Sequence, residues 1–188
     1  MTANTVRRIV PERHVDERGW LTETYSKPAF AALGVDCRFM QDNHVLSTSA
    51  FTLRGLHFQA PPRSQAKLVR CVRGCILDVA VDIRRGSPTY GQWVGSELSA
   101  ANGHQLFIPV GFAHGFMTLE PECEVIYKCS DTYAPDHDGG IRWDSAGIAW
   151  PLPAGRAPIL SAKDRTLPLF SNFDSPFDYD GDPLTPLS

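Results

Sequence analysis

No apolar run in the sequence approaches the roughly twenty residues that a helix needs to cross a bilayer, so no membrane association is expected. Cysteine is scarce. The five, Cys37, Cys71, Cys75, Cys123 and Cys129, are odd in number and include no Cys-x-x-Cys pair. That argues against a disulfide scaffold and a zinc ribbon, and for reduced thiols in a cytoplasmic protein. Basic excess is missing too: the formal net charge is −3, so no nucleic-acid partner is expected. The opening stretch "MTANTVRRIVPERH" carries no apolar segment between its charges and a cleavage site, and is not expected to be a secretory leader. There is no internal repeat.

What is there is ordinary in bulk and informative in pattern. With 188 residues, 43% hydrophobic and 21% charged, the chain is the size of one domain, 1–188, able to bury a core. "ILDVAVDIR" (76–84) alternates strictly. Leu77, Val79, Val81 and Ile83 face one way, while Ile76, Asp78, Ala80 and Asp82 face the other, as in a strand with one apolar and one carboxylate-bearing face. "KLVRCVRG" before it reads as a strand ending at Gly74, and the two are expected to form a hairpin. "GQWVGSELSA" and "QLFIPV" flank Asn102-Gly103, the strongest short hairpin signal in the chain, and "CEVIYKCSDTY" adds a further strand. One short helix is expected near 27–33, with Ser26 as its cap, Pro28 in its first turn and Gly34 at its end. Short strands and turns at this spacing predict an all-β sandwich or barrel rather than a parallel α/β sheet. The acidic, proline-rich end, about 171–188, reads as a draped or loose tail.

Three runs could carry chemistry: "RGLHFQ" (54–59), "KLVR" (67–70) and "PVGFAHGF" (109–116). Each sets a histidine or a cation beside apolar strand positions, which a barrel would gather in its mouth. "PVGFAH" fits the PxGxxH pattern of metal-binding cupin barrels, but those also supply a His-x-His pair and a glutamate. Here the pair reads His57-Phe58-Gln59, and two histidines without a carboxylate or thiolate make a poor site for Zn²⁺ or Fe²⁺. No metal is therefore expected. Proton transfer is the alternative: histidine as base, a carboxylate fixing its tautomer, a tyrosine as acid and a cation against an enolate. Sequence spacing leaves open which carboxylate and which tyrosine serve. Asp78 and Asp82 are read as solvated or salt-bridged, Arg70, Arg73, Arg84 and Arg85 as surface charges, and Trp143 and Trp150 as core or lip residues.

Taken in order, "DERGWLTETYS" (16–26), "FMQDNHVLS" (39–47), "LRGLHFQ", "AKLVRCVRG", "DVAVDIRRGSPTYGQWVGSELSAAN", "IPVGFAHGFMTL", "YKCSDTYAPDHDGGIRWD", "GIAWP" and "LSAKD" (160–164) resemble the dTDP-4-dehydrorhamnose 3,5-epimerases. These blocks span the chain from about residue 5 to about 170. The resemblance implies a cupin-like jelly-roll barrel with a few short helices, a homodimer and no cofactor. It implies epimerisation of carbons 3 and 5 of dTDP-4-dehydro-6-deoxy-D-glucose through enolates, with His57 as base, Asp164 as its carboxylate partner, Tyr133 as acid and Lys67 at the enolate oxygen. Arg18, Glu23, Gln41, Asp42, Asn43, Arg54, Lys67, His114, Asp144 and Lys163 would hold the nucleotide sugar, some of them across the dimer. The family often has glutamate or asparagine where Asp144 stands, and Tyr-Tyr where this chain has Thr132-Tyr133. A single-carbon epimerase on another deoxysugar, a metal-dependent cupin enzyme and a non-catalytic nucleotide-sugar binder are the competing readings.

Overall fold

A computed structural model describes residues 4–187. In chain order the elements are β1 (Arg7–Ile9), β2 (His14–Asp16), β3 (Gly19–Leu21), helix α1 (Lys27–Ala32), β4 (Gln41–Ser47), β5 (Leu53–Gln59), β6 (Lys67–Arg73) and β7 (Cys75–Asp82). There follow β8 (Trp93–Ser99), β9 (Gln105–Ile108), β10 (Phe112–Thr118), β11 (Cys123–Cys129), β12 (Asp138–Gly140) and helix α2 (Ala162–Arg165). Two five-stranded antiparallel sheets result, ordered β1-β9-β6-β11-β4 and β12-β5-β10-β7-β8, with β2 and β3 a separate two-stranded arm. This is the all-β jelly-roll sandwich that the sequence predicts.

Both expected hairpins are corrected. β6 and β7 belong to opposite sheets, and so do β8 and β9. Gly74 (φ +78°) and Gly103 (φ +66°) therefore turn the chain across the sandwich. A turn signal reports a local reversal, and the reversal serves an inter-sheet passage as readily as a hairpin. Helix α1 falls where expected, but the Ser26 side chain does not cap it. Pro28 at the second helical position has no N–H to offer a capping hydroxyl.

The alternation of β7 divides as read, with a different meaning. Val79, Val81 and Ile83 enter an outer apolar layer with Leu56, Ala113, Ile141 and Phe177. Ile76 and Ala80 enter the inner core between the sheets, with Val69, Leu98, Leu106, Phe112 and Phe116. Each such side chain contributes roughly 1.5–3 kcal/mol over leaving it exposed. The face that carries carboxylates is therefore the barrel interior rather than the solvent side. Asp78 and Asp82 are both fully buried. A third cluster, with Phe30 of α1 on Leu68 and Phe107, covers the outside of the first sheet.

Arg84, read as a surface charge, is also corrected: its side chain is wholly buried, paired with Asp82 at 2.9 Å and Asp180 at 2.7 Å. The C-terminal segment that supplies Asp180 is draped and fastened. Phe177 and Leu184 are buried in the two core clusters. Trp150 packs on the outer layer, and all five cysteines are unpaired thiols. Among the described residues no helix is long and apolar enough to cross a membrane.

Candidate active site

The inner faces of the two sheets enclose a cavity with two adjoining lobes of about 400 and 380 Å³, both lined by His57, Lys67, Tyr127 and Lys163. From one sheet come His57 on β5 and His114 on β10, which are direct cross-strand partners and so point the same way. From the facing sheet come Lys67 at the start of β6 and Tyr127 on β11.

His57 Nε2–H donates to Asp164 Oδ1 at 2.6 Å. Asp164 is buried at the first turn of α2, where its own N–H donates to the Ser161 hydroxyl at 3.0 Å. Burial works against its charged form, but the donors from His57, Ser161 and Gly55 outweigh burial and hold the carboxyl below its usual 3.8. With Nε2 carrying the hydrogen, the neutral ring keeps its lone pair on Nδ1, free to take a proton. The His57 side chain is 29% exposed and its carboxylate partner 3%. The imidazole is accessible and its carboxylate partner is dry.

A second dyad lies beside the first. His114 Nε2–H donates to Asp78 Oδ1 at 2.7 Å, and both residues are buried. Burial pushes the Asp78 carboxyl up and the His114 imidazole down, so neither is readily charged. Asp78 Oδ2 has no hydrogen-bond partner. Asp78, set aside in the sequence as solvated or salt-bridged, instead backs a cavity histidine. Its place on the inward face of an alternating strand was the signal. Burial also lowers the pKa of Lys67, against the opposing pull of Cys129, Asp78 and Asp138. An ammonium so placed gives up a proton, or shares it with a developing oxyanion, more readily than one in water.

The expected residues divide into two groups. Arg54, His57, Lys67, His114, Lys163 and Asp164 line one lobe, and Gln41, Asn43 and Tyr133 join the other. Gln41 accepts the Tyr133 backbone N–H at 2.8 Å. Asp42 points to the opposite face of β4 and pairs with Lys128 at 3.0 Å, because neighbours on a strand alternate. Asp144 pairs with Arg142 at 2.6 Å and lines neither lobe. Asp138 lines the second lobe instead, bonded to Lys163 and to the Tyr133 hydroxyl. Arg18, paired with Asp16 on the arm, and exposed Glu23 line neither lobe of their own chain.

The two tyrosines differ sharply. Tyr133, expected as the acid, is 58% exposed and donates to Asp138 Oδ2 at 3.0 Å. Tyr127 is half-buried and lines both lobes, and burial raises its pKa above the usual phenol value. Gln59, which stands where a metal site would need a second histidine, is 3% exposed. Its amide donates to the Arg63 and Thr132 carbonyls, and its oxygen accepts the Ala134 N–H at 2.9 Å. It is a structural tie. Among the described residues no group of three or more His, Cys, Asp or Glu side chains converges as metal ligands would.

Such a cavity suits removal of a hydrogen from carbon next to a carbonyl: a base on one wall, a phenol on the facing wall and cations between them. The comparisons agree in kind. A family model described as dTDP-4-dehydrorhamnose 3,5-epimerase matches residues 2–172. An enzyme of that name from Sinorhizobium fredii is 45% identical over 174 residues, 93% of this chain and 89% of that one. The Bacillus anthracis structure of that name, with TDP and PPi bound, is 48% identical, with a TM-score of 0.83 over 86% of this chain and 92% of the other. A Legionella pneumophila enzyme in complex with dTDP-4-keto-L-rhamnose is 39% identical, with a TM-score of 0.86 over 96% and 98%. A 3'-monoepimerase from Streptomyces bikiniensis is more distant, 32% identical with a TM-score of 0.82 over 90% of this chain and 87% of the other. A match over almost the whole sandwich, cavity strands included, shows that the chain belongs to the dTDP-4-dehydrorhamnose 3,5-epimerase family.

Proposed function

We propose that this chain inverts carbons 3 and 5 of dTDP-4-dehydro-6-deoxy-D-glucose, giving dTDP-4-dehydro-L-rhamnose, with His57 as the base and Tyr127 as the acid. The observation that carries the reading is their arrangement: a carboxylate-backed imidazole on one sheet faces a phenol on the other across a single cavity.

The ketone at carbon 4 acidifies the hydrogens on carbons 3 and 5. His57 Nδ1 takes one of them, and the C–H electron pair moves through the new double bond onto the carbonyl oxygen. Lys67 stabilises that enolate, with His114 beside it. Tyr127 returns a proton to the other face of the carbon, the electrons fall back to restore the ketone, and the centre is inverted. The phenolate regains its proton from solvent while His57 loses its own. One base and one acid serve both carbons if the sugar shifts between steps. A positioned base contributes about 10² to 10⁴ in rate and an oxyanion donor about 10² to 10³. Arg54, Lys163, Gln41 and Asn43 at the rim offer cations and amides to the dTDP group, whose binding holds the reactive ketone in place.

The working unit in this reading is a cytoplasmic homodimer. The arm exposes Val15 (77%) and Trp20 (56%), cross-strand partners on one face, and Leu21 (68%) on the other, apolar surface that a second copy would cover. Its Arg18 and Glu23 then serve the partner's cavity rather than their own.

Proton NMR of the keto sugar in D₂O tests the reaction. Two hydrogens, on carbons 3 and 5, are expected to exchange with inversion. One exchanged position would establish a single-carbon epimerase like the monoepimerase neighbour, and none, with substrate still bound, a binder. His57→Ala is expected to retain dTDP-sugar binding by calorimetry while turnover drops about 10³-fold or more.

A further inference from the structure

The segment that follows the family match, residues 173–187, lines neither lobe of the cavity, yet it is fastened along its length. The Arg85 N–H donates to the Phe177 carbonyl at 2.8 Å, and the Tyr179 N–H to the Arg85 carbonyl at 3.0 Å. The Ser175 hydroxyl donates to the Ile83 carbonyl. Asp180 accepts from buried Arg84, and the Leu184 N–H donates to Thr89 Oγ1 at 3.0 Å. All of these anchors lie on β7 or the loop after it.

What the segment grips is the strand of the base. Phe58 follows His57 on β5, and successive side chains point to opposite faces. His57 therefore reaches the cavity while Phe58 enters the outer apolar layer. There its ring meets Phe173 at 5.4 Å and Phe177 at 5.7 Å, the second edge-on. Gly139 of β12 closes on it as well: a methyl group on Gly139 would lie 2.6 Å from the Phe58 ring. Phe58 is half-buried and also borders the second lobe, and its ring is held on the outer side by Phe173, Phe177 and Gly139.

We infer that Phe173 and Phe177 are positioning residues for the reaction, which act through Phe58 to hold His57 in line with Asp164 and the cavity. The remainder of the segment is the clasp that ties these two rings to the loop after β7, residues 83–89. The inference rests on His57 being the base. Displacing a reacting group by about 1 Å can cost about 10²-fold in rate, and trimming these rings loosens β5 by less than that.

The test measures steady-state kinetics of Phe177→Leu and of Phe173→Leu/Phe177→Leu, well below their Tm, together with the His57 imidazole signal by NMR. The double variant is expected to lower kcat about tenfold with KM within about twofold. It should also move or broaden the His57 resonance and leave that of His114 in place. The comparison chain ends after Asp182, losing the Leu184 plug but neither phenylalanine. It should have a lower Tm with wild-type kcat and His57 signal. Folded leucine variants with unchanged kcat and His57 resonance would overturn the inference. So would a shortened chain that loses kcat and shifts His57 as much as they do, because the segment would then act through stability alone. If the wild type turns nothing over, the catalytic reading fails by itself, and the His57 resonance still decides whether the rings position that side chain.

Discussion

The choice between Tyr127 and Tyr133 as proton donor turns on surroundings rather than on identity. A donor must reach the reacting carbon from within the cavity, and Tyr127 lines both lobes while the Tyr133 hydroxyl is engaged with Asp138 at the mouth. Tyr127→Phe is expected to lower kcat at least 10²-fold, and Tyr133→Phe less than about tenfold. In D₂O the Tyr127→Phe enzyme should still exchange substrate hydrogens through His57, but with the original configuration kept. Substrate recovered deuterated and uninverted on NMR checks this. Inversion at the wild-type rate would return the role to Tyr133. A second expectation concerns Asp164. Its folded pKa lies below 3.8, so its charged form contributes stability fully above that value, and the contribution is lost as pH falls through the folded pKa. The Tm deficit of Asp164→Asn should therefore be present at pH 5 and shrink as pH falls below 3.8, by calorimetry. A deficit that stays constant would show that the charge is not what stabilises. His57 and Lys67 stood out in their own runs, and Asp164 only through the family resemblance. Tyr127, Asp78 and Asp138 did not, because each looks like one more polar position on a strand until a facing sheet encloses it.

Strand β5 brings its base to the cavity by pressing against β10. Gly55, two residues before His57, has φ +137°. A Cβ there would sit 2.5 Å from the Gly115 backbone, where nothing flexible can yield. Gly55→Ala combines a disfavoured conformation with a backbone clash, together at least about 3 kcal/mol. For a chain of this size that lowers Tm by about 10 °C, and a shift under about 3 °C in a melting curve would show that the two strands part easily. The strands themselves were readable from alternation and β-branched runs. Their partners were not. Gly74 and Asn102-Gly103 mark reversals correctly, but which sheet the chain joins next depends on contacts with strands far away in sequence. The polar face of β7 likewise looks solvated until β6, β9 and β11 cover it.

For the whole molecule, the proposed dimer rests on the arm. Its apolar side chains lie in the open, and Arg18 and Glu23 line neither lobe of their own chain's cavity. Trp20→Glu is expected to move the protein from dimer to monomer in analytical ultracentrifugation and to raise KM for the nucleotide sugar at least tenfold, with a smaller change in kcat. A dimer that persists with unchanged KM would place the interface elsewhere.

The passage of β6 to β7 and of β8 to β9 across the sandwich has a consequence for how the protein is made. β1 cannot pair until β9 exists, β4 until β11, and β5 lacks one neighbour until β12. Each half-synthesised sheet is a row of open edges, and such non-local pairing is slow, on the order of milliseconds to seconds once the chain is complete. Neither sheet can close strand by strand, because each waits for a partner from far along the chain.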